Sequence, residues 1–146
     1  MRLSYLFIII TLLISITIGI LVFLYCPLFE LQGFDKALEG VLLLTSISLG
    51  FYGACLSVLA SIFNTKIVKE VMEDSHYRKE FIVISSLALV IGFLTVITTI
   101  IYQVMLANDY VLLVIMKIIN ALWSSLLILF FSFSTLFVLI SFLIFF

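Results

Sequence analysis

The densest chemistry in the chain is Asp74-Ser75-His76, in its most polar stretch. A carboxylate, a hydroxyl and an imidazole are the parts of a hydrolytic triad, but a triad also needs an oxyanion hole and a formed pocket. The stretch from Asn64 to Glu80 has 17 residues with apolar sequence on both sides, too little to build either. Cys26 follows the first apolar run and Cys55 lies inside the second, so the two thiols are poor disulfide partners. With His76 as the single histidine, no metal-ligand spacing arises. The sequence therefore predicts no enzyme, no metal and no cofactor.

A carboxylate deep in an apolar run would be more telling, because ionisable groups in lipid are costly and mark proton or ion pathways. Glu39 is the one candidate, and it stands beside Lys36 near the start of the second run, where it reaches water. A proton-coupled exporter, which needs a carboxylate relay, is disfavoured. Gln103 and Asn120 are expected near the same boundary, where hydration makes polar groups inexpensive.

Small and hydroxylic residues carry a stronger pattern. Ser85, Ala88, Gly92, Thr95 and Thr99 step by three and four and so share one helix face. Ser46, Gly50, Gly53, Ser57 and Ser61 repeat the pattern one run earlier, and Ser4, Thr11, Ser15 and Gly19 form a shorter version. Such stripes are seams where helices approach closely in lipid, or they line a weakly polar pore. Four helices are too few to enclose water, so a pore implies a homo-oligomer.

The elements that must carry these residues follow from composition. Of 146 residues 66% are hydrophobic and 10% charged, against about 25% charged in a soluble domain. Apolar runs cover 3–25, 40–63, 81–106 and 118–145, and about 20 such residues cross a bilayer. Backbone groups in lipid must be satisfied within the segment, so each run is predicted helical; barrel strands would be shorter and would alternate. The expectation is an all-α membrane protein, one domain of four transmembrane helices in an antiparallel bundle that oligomerises, packed most tightly on its second and third helices. The first run, with 23 uncharged residues and no small-x-small site after it, reads as a retained helix, not a signal peptide. A net charge of −1 gives no basic footprint for nucleic acid.

Orientation follows from Lys and Arg. Arg2, Lys66, Lys69, Arg78 and Lys79 share one side and Lys36 and Lys117 the other, five against two. The larger group marks the cytoplasmic side, which places both termini there; the membrane itself is expected to be a bacterial inner membrane. Tyr25, Tyr102, Tyr110 and Trp123 are expected as an aromatic belt at the outer boundary. A fourth helix capped by Asn108 or Asp109 and running to Phe146 would be roughly 55 Å long at about 1.5 Å per residue. Residues 110–117 would then project beyond the hydrocarbon or lie along its surface.

The hairpin at 64–80 pairs Lys66 with Glu70 and Lys69 with Glu73 at helical spacing, above an apolar strip of Ile67, Val68, Val71 and Met72. The second helix is expected to continue into it, with Asp74 or Ser75 opening the third. Lys66, Lys69, Arg78 and Lys79 would bind lipid headgroups or dock a cytosolic protein.

The long second segment ending Ala60-Ser61-Ile62-Phe63, the basic hairpin after it and the third segment that follows directly form a layout over most of the chain. That layout resembles the membrane component of the lambda-type Rex exclusion system. The resemblance implies a small membrane protein that forms ion channels in abortive infection. The leading expectation is a self-associating, pore-forming or membrane-disrupting effector in phage defence. A non-conducting anchor or sensor whose hairpin holds a soluble partner is the rival, and a holin or bacteriocin-immunity protein a third.

Overall fold

Apolar runs that lack helix breakers can satisfy their amides and carbonyls in lipid only by closing the bonds on themselves. The computed structural model, which describes residues 2–62, 75–108 and 110–145, shows four long helices and no strand among those residues. Helix α1 spans Arg2–Tyr25 and α2 spans Phe34–Ile62. Helix α3 spans Ser75–Leu106 and α4 spans Leu113–Phe145. One turn of 3-10 helix, Leu28–Glu30, lies between α1 and α2. All four helices are long and apolar enough to cross a membrane, over Tyr5–Tyr25, Phe34–Val58, Arg78–Leu106 and Leu113–Phe142. The chain is thus all-helical, with the character of a multi-pass membrane protein.

Helix boundaries depart from hydropathy where charged residues continue a helix past the apolar run. Helix α2 begins at Phe34, ahead of the expected 40, because Gly33 sets its start. Gly33 holds a left-handed φ of 78°, which a residue with a Cβ rarely adopts, and its carbonyl accepts from the Ala37 amide at 3.2 Å. Asp35 in the first turn complements the helix dipole. Helix α3 likewise begins at Ser75, ahead of 81. The hairpin expected at 64–80 falls mostly on residues 63–74, outside those described, together with Lys66, Lys69 and Asp74.

The start of α4 corrects the expected capping. Asn108 closes α3: its side-chain amide donates to the Val104 carbonyl at 2.6 Å. Helix α4 opens five residues further on, at Leu113, where the preceding Leu112 carbonyl accepts from Ile115 at 2.9 Å and Met116 at 3.1 Å. Lys117 lies half-buried one turn inside the helix, and Tyr110 stands almost wholly exposed in the turn before it. With 33 residues, α4 is about 50 Å long at about 1.5 Å per residue and outruns a hydrocarbon core of about 30 Å.

Helix α4 is the centre of the arrangement. It packs along α3 on one flank and α1 on the other, and α2 packs along α3. The consecutive helices α1 and α2 do not pack along each other, which leaves the bundle open between them. The tightest packing is therefore between α3 and α4, not on α2 and α3. In an 18-residue apolar window of each helix, 44% of the residues are buried on α3 but only 11% on α2. Two clusters fill the interior. Tyr52, Phe81, Ile84, Ala88, Ile91, Phe130, Phe133 and Phe137 form one. Phe34, Leu38, Tyr102, Met116 and Trp123 form the other, toward the end of the bundle that holds Pro27.

Candidate functional site

The stripes that look alike in sequence have different surroundings. On α3, Ser85, Ala88, Gly92, Thr95 and Thr99 are all buried inside the protomer. Their hydroxyls are satisfied by their own helix: Ser85 donates to Phe81 at 2.7 Å, Thr95 to Ile91 at 2.8 Å and Thr99 to Thr95 at 2.6 Å. Gly92 is where α2 comes close, since a Cβ there would stand 2.7 Å from Leu49 Cδ2. On α1, Thr11, Ser15 and Gly19 are the buried face. Ser15 Oγ donates to the Ser125 carbonyl at 2.8 Å and Ser125 Oγ donates back to the Ser15 carbonyl at 3.1 Å. A Cβ on Gly19 would collide with the Ser125 hydroxyl.

On α2 the same residue types face outward. Ser46, Gly50, Gly53, Ser57 and Ser61 are exposed, as are Ala54 and Ala60 beside them. Nothing lies within 4 Å of a Cβ placed on Gly50 or Gly53. Ser57 donates to the Gly53 carbonyl at 2.8 Å and Ser61 to Val58 at 2.7 Å, so these hydroxyls need no partner from another helix. The buried face of α2 is a different one, formed by Phe34, Leu38, Thr45 and Tyr52. Tyr52 reaches across to α4, where its hydroxyl bonds the Ser134 hydroxyl and its ring lies 4.7 Å from that of Phe137.

Asp35 and Glu39, four residues apart, continue the outward face of α2 toward its N-terminus. With Leu42, Leu43, Gln103, Leu106 and Ala107 they line an open cleft of about 590 Å³ between α2 and α3. Arg78 and Lys79, expected at a lipid or partner surface, are exposed on the first turn of α3. Among the described residues, no three of His, Cys, Asp and Glu group closely enough to hold a metal.

The most connected polar group escaped the reading of hydropathy. Asn120, expected as a hydrated boundary residue, is 1% exposed. Its carboxamide accepts from the Tyr102 hydroxyl at 3.0 Å and donates to the Cys26 carbonyl at 2.9 Å. Nearby, Trp123 Nε1 donates to Thr99 Oγ1 at 2.9 Å. The Phe34 ring stands edge-on to both Tyr102, at 5.3 Å, and Trp123, at 5.6 Å. Tyr102 and Trp123 are thus interior residues and not belt anchors, whereas Tyr25 and Tyr110 are exposed. A sequence signal exists: Thr99 and Tyr102 on one helix, and Asn120 and Trp123 on the next, are pairs at helical spacing whose donors and acceptors match.

No family model, curated protein or solved structure matches this chain. What the molecule offers to a partner is therefore read from its own surface, and the outward face of α2 is the distinctive part. Interior seams consume the small residues of α1 and α3, while those of α2 stay open.

Proposed function

We propose that this chain is a small membrane effector that self-associates through the outward face of α2 and permeabilises its membrane. The observation that carries the reading is the free stripe at Ser46, Gly50, Gly53, Ser57 and Ser61, with open space over both glycines. A helix in lipid gains nothing by exposing glycine, since small residues stabilise only where another backbone comes close. A second copy supplies that backbone. The same face offers hydroxyls along its length and ends in Asp35 and Glu39, the composition of a narrow polar lining once several copies enclose it.

The likeness of layout to the Rex membrane component supports a role in phage defence. The excess of Lys and Arg on one side of the four crossings supports cytoplasmic termini, and the same likeness of layout supports a bacterial inner membrane. The decisive experiment is induced expression with a potential-sensitive dye. Expression of the wild type should depolarise cells, and Gly50→Leu with Gly53→Leu should abolish the effect. Because nothing within the protomer lies near either position, the variant should still insert and fold. Full membrane potential under strong wild-type expression would overturn the proposal.

A further inference from the structure

Pro27 ends α1 and offers no amide, so the carbonyls of the last turn must find donors elsewhere. The Cys26 carbonyl receives the Leu28 amide at 3.0 Å and, from across the bundle, the Asn120 side chain at 2.9 Å. Asn120 thereby caps α1 in trans. The connector 26–33 then turns through Leu28–Glu30 and Gly33 and delivers Phe34 between Tyr102 and Trp123. Since α1 packs on α4 and α2 on α3 but not along each other, the connector that joins them at this end is held by what binds it to α3 and α4.

We infer that residues 26–33 form a strap latched by Asn120, and that loss of this one side-chain donor loosens the strap at this end of the bundle while the packing of α1 on α4 and of α2 on α3 persists. The latch is built for a single position. Both halves of the carboxamide are used, one on Tyr102 of α3 and one on the strap, so Asn120 cannot hold the strap in a shifted register without orphaning a buried polar group. The Phe34 ring adds the apolar half of the closure and carries no polar atom to set a register. The device stands whether or not the chain conducts ions.

Hydrogen exchange of the full chain in lipid nanodiscs tests it, read at the amides of residues 26–34. Asn120→Leu, with Asn120→Ala as the smaller companion, should speed exchange of the strap by about tenfold while the middle of α3 and α4 keeps its protection. Tyr102→Phe removes the other partner of Asn120 but leaves its bond to Cys26, and should leave strap exchange as in the wild type. If Tyr102→Phe speeds the strap as much as Asn120→Leu does, the residues share only a general packing role and the latch is overturned. Unchanged strap exchange in both Asn120 variants overturns it equally.

Discussion

At the scale of single residues, two glycines and one tryptophan decide how the helices approach. Gly19 lets α1 reach Ser125, and Gly92 lets Leu49 of α2 lie against α3. Gly19→Val should destabilise the protein by about 1–3 kcal/mol, the usual range for overpacking a tight contact, measured as unfolding of detergent-solubilised protein. Gly92→Ala should be milder, because the atom it meets is the end of a flexible leucine side chain. Trp123→Phe keeps most of the aromatic packing but removes the donor to Thr99. Its expected loss is about 0.6 kcal/mol and at most about 1.7, the range of interhelical hydrogen bonds in membranes, read in the same unfolding assay. Gly33 is set apart by its backbone: its φ of 78° makes Gly33→Val strained even though a Cβ there meets nothing.

At the scale of elements, α2 and α3 carry nearly the same pattern with opposite outcomes. Both stripes were legible as helix faces, because steps of three and four put residues in line on any helix. Which stripe packs inside the protomer was not legible, because a small-residue face admits any close helix, from the same chain or from another copy. On α2 the choice falls to Phe34, Leu38 and Tyr52, large groups that fill the space beside α3 and α4, with Thr45 buried on the same face. The element-scale prediction follows. Gly50→Leu with Gly53→Leu should leave monomer stability nearly unchanged and abolish self-association in analytical ultracentrifugation. Leucine at Ser85 and Ala88 should instead lower stability, since both are buried.

At the scale of the whole molecule, helix α4 is the axis on which α1 and α3 pack, and α2 is attached through α3 and through the reach of Tyr52 and Phe34 to α4. Native mass spectrometry in mild detergent should find a ring of four or more protomers held through α2. A monomer under all conditions would exclude an enclosed pore. Impermeant thiol labelling of single-cysteine variants should place residue 79 and the N-terminus on the same side of the membrane, and Cys26 on the other.

The sequence by itself determined that the chain forms four helices long and apolar enough to cross a membrane. The length and uniformity of its apolar runs leave lipid as the solvent, and in lipid a helix is the state that closes every backbone bond locally. It also determined the candidate seams, since periodicity is a property of one helix. Only the tertiary structure decided the rest. Helix starts at Phe34 and Leu113 depend on local backbone bonds to the Gly33 and Leu112 carbonyls that hydropathy does not see. The burial of Asn120, Tyr102 and Trp123 depends on partners nearly twenty or more residues away. A polar side chain near a membrane boundary has two comparable solutions, water or a matched partner, and only the packing of α4 between α1 and α3 selects the second.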